Sequence, residues 1–313
     1  FKVRNEIGQK IRNENIEYEN YIKEQEEKKR KKEEEARQKA EEQARKAERE
    51  KNEAEEKQRK AEEAYKSTKS IKISIVVPLY NTPIEFLKDM IESVRRQTYT
   101  NWELCLADAS EDEYKYVEET VKKYAVKDVR IKYKHLGKNQ GISINSNEAV
   151  KMAAGEYMAL LDHDDLIHPS ALYYVVKAIE EENAEFVYTD ELSFDGTPNR
   201  VQSINFKPDF SWETFRYNNF ICHLAAFKRE MFEDVGGFSK ECEGAQDYDL
   251  FFKLLEKTDK VVHIQKVLYY WRVYQASSAS GINAKPYIIN AGIRAVESHL
   301  KRKEIEYDDI VSE

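Results

Sequence analysis

The chain has 313 residues, room for one or two domains, with 35% charged residues and a net charge of -8. That acidic balance lacks the basic face of a nucleic-acid binder. No run reaches the roughly 18 to 20 apolar residues of a membrane span, and no signal peptide is visible. Three cysteines, Cys105, Cys222 and Cys242, lack metal-ligand spacing and form no disulfide framework, which fits a reducing, cytoplasmic compartment. Cys105 and Cys222 lie in apolar surroundings and are expected as buried thiols. The chain starts with Phe1 rather than methionine, so it is expected to be part of a longer protein.

From Lys23 to Glu63, 30 of 41 residues are charged, 15 basic and 15 acidic, without glycine or proline. Glutamates four residues before a basic partner recur, as in Glu24–Lys28, Glu27–Lys31, Glu33–Arg37, Glu41–Arg45, Glu53–Lys57 and Glu56–Lys60. Each pair contributes only about 0.2–0.5 kcal/mol, but together they predict one long solvated helix from about Ile16 to Ala64. Ala40, Ala47, Ala54 and Ala61 fall seven apart, with Ala36, Ala44 and Ala64 nearby, so a heptad can be drawn. A lone helix and a weak homo-oligomeric coiled coil both remain open. Residues 1–69 are therefore expected to be a charged spacer.

From Ile71 apolar runs alternate with amphipathic segments. Strands are expected at 73–80, 102–108, 129–134, 157–162 and 185–190. Helices are expected at 84–97, 113–125, 141–154 and 169–182. This alternation predicts an α/β domain over residues 70–300, a mostly parallel sheet flanked by helices, with mixed order beyond Asp195 and a charged tail at 301–313.

The segment GEYMALLDHDD, Gly155 to Asp165, carries the strongest chemical signal. A strand-length apolar run stops at three carboxylates, Asp162, Asp164 and Asp165. Ligands of open α/β sheets gather at such strand ends, and crowded carboxylates need a cation or hydrogen-bond donors. Magnesium takes one or two protein carboxylates plus substrate phosphates, which points to a metal–diphosphate site. The competing reading is a helix cap by Asp165 or Ser170 ahead of the helix that Pro169 opens. Two other strand ends carry polar groups, at Pro78-Leu79-Tyr80-Asn81 and at Asp108. Tyr80 suits stacking on a base and Asp108 suits accepting from a ring N–H, although Asn81 and Asp108 are also ordinary turn formers. No GxGxxG follows the first strand and no GxxxxGK[ST] occurs, against dinucleotide and P-loop chemistry.

In order, SIVVPLYN, the ADAS turn, KNQGISINSNEAVKMAAGEYMALLDHDD, VGGF (235–238) and QDYDL (246–250) resemble family 2 glycosyltransferases, especially bacterial polysaccharide and surface-glycan members. The likeness covers about Lys72 to Ser280. It implies a GT-A fold and an inverting, metal-dependent transfer from a nucleotide-diphosphate sugar, a UDP-sugar first, to a glycan, lipid-linked saccharide or glycoprotein. The implied place of work is the cytoplasm, at the inner face of the membrane through partners. By similarity Pro78, Tyr80, Asn81, Asp108, Asn139, Gly141 and Asp162 line the nucleotide-sugar pocket, with Asn147 opening the helix side of that motif. Asp164, with Asp162, would hold Mn²⁺ or Mg²⁺. Asp165 would support the acceptor side or cap the next helix.

Asp247 matches the general base, with a helix N-terminal aspartate as the plainer alternative. His223 and Trp271 are candidates for the acceptor side or for packing, and Trp212 likewise for sugar stacking or burial. His163 is expected to point away from the aspartates by strand alternation. Two departures stand out. Gln246 precedes Asp247 where many relatives have glutamate. Tyr270 and Tyr274 stand where relatives often carry a late metal-binding histidine, leaving His263 or a water for that place. The alternative function is a catalytically impaired scaffold.

Overall fold

The computed structural model describes residues 70–274 and 286–310, together with Tyr65 and part of the stretch from 27 to 62. Contacts divide the chain into two units, Phe1–Ala61 and Glu62–Glu313. In the first, every described residue is helical and exposed. The four-apart pairing expected there is present, with Glu27–Lys31 at 3.4 Å and Glu56–Lys60 at 2.7 Å. Of the proposed alanine seam, Ala36, Ala44, Ala47, Ala54 and Ala64 lie outside the described residues, as does the expected start of the helix near Ile16.

The second unit is built on a sheet. In chain order its elements are β1 (Ile73–Leu79), α1 (Ile84–Arg95), β2 (Trp102–Asp108), α2 (Tyr116–Ala125), β3 (Ile131–His135), α3 (Ile142–Val150), β4 (Tyr157–Leu160) and β5 (Leu166–Ile167). They continue with α4 (Ala171–Glu181), β6 (Phe186–Phe194), β7 (Val201–Asn205), α5 (Trp212–Tyr217), β8 (Ala225–Lys228), α6 (Arg229–Asp234), α7 (Gln246–Leu255), β9 (Val261–Arg272) and α8 (Pro286–Arg302). The nine-stranded sheet has the order β3-β2-β1-β4-β8-β6-β9-β5, with β7 beside β6. β3, β2, β1 and β4 are mutually parallel, β8 runs antiparallel to both neighbours, and β6 and β9 are parallel again. The mixed order expected beyond Asp195 is thus observed.

Side-chain alternation along β1 splits the core into two layers. Ile73, Ile75, Val77 and Leu79 join Leu87, Met90, Ile91 and Val94, the i, i+3, i+4, i+7 stripe of α1. Val76 faces the other way, into a layer with Phe186, Tyr188, Phe251 of α7 and Ala291 of α8. Fully burying each such aliphatic side chain is worth about 1.5–3 kcal/mol. Gly155 allows β4 to close on β1, because a Cβ there would lie 2.6 Å from the Lys72 carbonyl oxygen.

This register sets the strand ends in a row. Leu79 is opposite Asp108, and Val76 is opposite Leu160, so Asp162 follows immediately on the same edge. Several helices are shorter than expected. Gly141 has φ of 96° and starts no helix, a 3-10 turn at Asp112–Tyr114 replaces the first turn of the second, and α4 begins only at Ala171. The pairing of β6 with β9 slips near the middle: Thr189 faces Ile264, Asp190 faces Val267 and Glu191 faces Tyr269. Such a bulge re-aims side chains.

Candidate active site

Two cavities meet along the strand ends. One, of about 380 Å³, is lined by Pro78, Tyr80, Asn139, Gly141, Asp162, Asp164 and Tyr274, among others. The second, of about 190 Å³, is lined by Cys222, His223, Gln246 and Asp247, and it shares Pro78, Ile142 and Asp162 with the first. Asp162 is therefore the carboxylate common to both.

In the larger cavity Asn139 shapes the loop before α3: its Oδ1 accepts from Gly141 N at 3.0 Å and from Asn145 Nδ2 at 2.9 Å. Asn147 instead ties α3 to the backbone of Phe238, donating to its carbonyl and accepting from its N–H. Asn81 is left-handed with φ of 50°; its Oδ1 accepts from Glu111 N at 3.0 Å, so this side chain makes the turn. Tyr80 donates to Glu111 at 3.0 Å. Asp108 lies in a neighbouring cleft with Glu111 and His135. It is almost fully buried, and its two oxygens accept from Ser110 N at 2.9 Å and Tyr133 OH at 2.8 Å.

The three clustered aspartates have different surroundings. Asp162 faces His223 Nε2 at 3.5 Å. Burial opposes its charge, but the His223 hydrogen bond and positive charge hold its pKa below the usual value. Asp165 accepts from Tyr269 OH at 2.6 Å and from Arg272 N at 2.7 Å, and it caps no helix. Burial, then the charges of Asp162 and Asp164, push its pKa well above the carboxylate range. Ser170, the other cap expected, spends its hydroxyl on Glu62 at 2.6 Å and caps nothing. Asp164 lines the larger cavity beside Tyr274, and Arg272 Nε donates to its carbonyl at 2.7 Å.

β4 ends at Leu160, so strand alternation does not govern His163; the residue lines the larger cavity and its ring bonds Thr82 at 2.9 Å. His263 is not a candidate ligand of this site either: its ring lies between Asp190 at 2.9 Å and Asp209 at 3.1 Å, stacked on Tyr188. Tyr274 is the late side chain that reaches Asp164; burial and that neighbour push its phenol up to about 12, so it donates. Tyr270 belongs to β9, opposite Leu166, and edges onto His168.

At the smaller cavity Asp247 sits in the first turn of α7 and accepts from Asn219 Nδ2 at 2.9 Å. Burial raises its pKa, against the lowering effects of His223, the Tyr248 N–H and Asn219. His223 is clamped between Asp162 and Glu191, the latter at 3.3 Å, and stacks on Tyr269 with centroids 4.6 Å apart. Burial disfavours its charge, but hydrogen bonds to the two carboxylates raise its pKa well above the usual value. Trp271 packs on the core and tilts against His223 at 5.7 Å. Trp212 stacks on His299, away from this site. Cys222 is half-buried at the cavity wall, not in the core as expected, because the chain turns there with φ of 37°. Cys105 is buried, and all three cysteines are free thiols.

Sequence reading missed the support beneath His223. Lys207 is fully buried, bonded to Glu191 at 3.1 Å, to the Ile221 carbonyl at 2.6 Å and to the His223 carbonyl. Only the second carboxylate of Asp190-Glu191 hinted at it.

Ligand atoms of Asp162, Asp165 and His223 lie within 4.8 Å of one another. That triad fits a divalent ion poorly, since Asp165 is committed to Tyr269 and Arg272, and the His223 ring is already paired with Asp162 and Glu191. Asp162 and Asp164 fit better. Both reach the larger cavity, and hard divalent ions need only one or two such carboxylates when phosphates complete the shell.

Comparison with known proteins agrees with this geometry. The family model described as "Glycosyl transferase family 2" matches residues 74–236. An uncharacterized protein y4gI of Sinorhizobium fredii is 42% identical over 74% of this chain and 25% of its own length. The O-antigen biosynthesis protein RfbC of Myxococcus xanthus is 30% identical over 74% of this chain and 18% of its own length. The chain thus spans a quarter or less of these relatives. Among solved structures, Staphylococcus aureus TarS 1-349 in complex with UDP-GlcNAc superposes with a TM-score of 0.61 at 19% identity, covering 74% of this chain and 66% of that one. The mannosyltransferase PcManGT of Pyrobaculum calidifontis, in complex with GDP-Man and Mn²⁺, gives 0.52 at 18%, covering 79% and 77%. At such identities the two structures show the shared GT-A-type fold.

Proposed function

The chain belongs to glycosyl transferase family 2, and we propose that its domain is a metal-dependent inverting glycosyltransferase that moves a sugar from a UDP-sugar to an acceptor hydroxyl. The acceptor class is a glycan, a lipid-linked saccharide or a glycoprotein. The observation that carries this reading is the position of Asp162, shared between a nucleotide-side cavity and the cavity of Asp247. A donor lying across Asp162 presents its anomeric carbon toward Asp247. The solved relatives support the donor class, one binding UDP-GlcNAc and the other GDP-Man with Mn²⁺.

The lining of the larger cavity supports the cation. Among the described residues its lining sets the carboxylates of Asp162 and Asp164 side by side with no lysine or arginine, so a diphosphate entering it is helped by added positive charge. Mn²⁺ or Mg²⁺ held by Asp164 and Asp162 would supply Lewis-acid stabilisation of the leaving diphosphate. Asp247 takes the proton from the acceptor hydroxyl as that hydroxyl oxygen attacks the anomeric carbon, and burial raises its pKa above the ordinary aspartate value, which makes it a stronger base. Asn219 orients that carboxylate, and His223 holds Asp162 ionised beside the reacting centre. Tyr80, Asn139 and Gly141 wall the nucleotide side, while Asp108, spent on Ser110 and Tyr133, shapes the base cleft.

A catalytically impaired scaffold is favoured by one observation, the Tyr274 phenol beside Asp164. Residues 1–69 are proposed as a spacer, tested separately for self-association. Work in the cytoplasm, reaching the inner face of a membrane through partners, is part of the same proposal. Among the described residues no helix is long and apolar enough to cross a membrane.

The test is calorimetric titration of UDP with and without Mn²⁺, alongside Asp164→Ala, followed by a screen for UDP-sugar hydrolysis. Binding that needs both Mn²⁺ and Asp164, with turnover that needs Asp247, is the expected result. Failure of UDP, GDP and dTDP alike to bind would overturn the catalytic reading in favour of the scaffold.

A further inference from the structure

We infer that Glu243 accepts a hydrogen bond from a hydroxyl of the transferred sugar and so sets which sugar is used; this rests on the donor site proposed above. Glu243 lines the nucleotide-side cavity, whereas Gly244, Gln246 and Asp247 line the cavity of the base. The chain crosses from one cavity to the other between Glu243 and Gly244, where Ile142 and Asp162 belong to both. A sugar linked to a diphosphate near Asp164, with its anomeric carbon turned toward Asp247, lies across that border.

The carboxylate is fixed rather than free. Ile142 N donates to its Oε1 at 2.7 Å and Ser143 N lies 3.4 Å from its Oε2, both in the first turn of α3. Gly141 makes room for it: a Cβ there would sit 2.3 Å from Glu243 Oε1. A carboxylate has about four lone-pair sites, and two backbone donors leave acceptors on both oxygens. Sugars differ chiefly in where their hydroxyls point, so a rigid acceptor at this border discriminates among them. A glutamate serving only to cap α3 would need no place on the cavity wall.

The two roles separate when nucleotide and nucleotide-sugar are compared. In the full chain with Mn²⁺, Glu243→Ala and Glu243→Asp are titrated with UDP and with UDP-glucose, UDP-galactose and UDP-GlcNAc. The expected result is UDP affinity within about twofold of the unmodified chain. Affinity for the preferred UDP-sugar should fall about tenfold or more, with the preference among the three sugars flattened. Glu243→Asp keeps the charge near α3 but withdraws it by one methylene, and it should lose sugar preference while keeping UDP binding. Parallel losses of UDP and UDP-sugar affinity would show a purely structural cap and overturn the inference. So would unchanged sugar preference. If the unmodified chain binds no nucleotide, the donor-site reading falls first, before any variant is measured, and the inference falls with it.

Discussion

The cavities on the two sides of Asp162 are built from different chemistry. On the nucleotide side the wall is backbone, amide, phenol, imidazole and carboxylate, and among the described residues no lysine or arginine lines it. On the side of Asp247 the charges close on themselves: Asp162, His223, Glu191 and the fully buried Lys207 form one chain of contacts. Burying its inner pair, Glu191 and Lys207, costs several kcal/mol per ion before the pairing offsets it. A pocket for an exchangeable, charged ligand can leave its compensation to that ligand. A base that must sit at a set distance from a reacting carbon is better served by permanent compensation.

The comparison breaks first at Asp247. Asp247→Asn should lower transfer by about 10²–10⁴-fold, the usual range for a general base, while UDP and Mn²⁺ binding stay within experimental error. Joint loss of turnover and binding would mean that the two cavities are not separable. Next, Lys207→Met should destabilise the fold by about 3–5 kcal/mol, because buried Glu191 loses its ammonium partner and the Ile221 and His223 carbonyls lose their donor. Urea unfolding measures this, and a change under about 1 kcal/mol would show that the buried chain of charges is not a supporting element.

Smaller effects sharpen the contrast. Asp164→Ala should weaken Mn²⁺-dependent UDP binding by about tenfold or more, with metal-free binding unchanged. Tyr274→His should strengthen Mn²⁺ binding several-fold, since a neutral imidazole ligates where a phenol donates. Equal affinities would place Tyr274 outside the metal's reach.

The pH profile gives the mildest test. Asp247 must be ionised to act, and its pKa is raised, so activity should disappear as pH falls through a value above the ordinary aspartate pKa. Asn219 and His223 both lower that pKa, so Asn219→Ala should move the acid limb to higher pH. A limb that stays still would remove Asn219 from the support of the base.

The parallel half of the sheet was legible because its strands are short, fully buried runs such as Trp102–Asp108, separated by helices with a clear apolar stripe. Asp162 and Asp164 were legible because β4 ends just before them. Other features were not. Lys207 and Glu191 are 16 residues apart and meet through a β6–β7 hairpin whose partnering no local pattern encodes. Cys222 was misjudged because apolar context stops applying where the chain turns. His263 could not be separated from a ligand histidine until β9 was paired with β6, which carries it to Asp190.

The slipped pairing of β6 and β9 means that the site is encoded partly as chain length. Three residues of β6, Thr189 to Glu191, are matched by the longer run Ile264 to Tyr269. At its end Tyr269, and after it Arg272, turn toward Asp165, and the chain leads on to Tyr274 beside Asp164. Changing one residue's identity at exposed Gln265 or Lys266 leaves this count intact. Deleting either one shifts every later residue to the opposite face, stripping Asp165 of both donors at once. Homologous variation across this stretch should therefore tolerate substitution freely and insertion or deletion hardly at all.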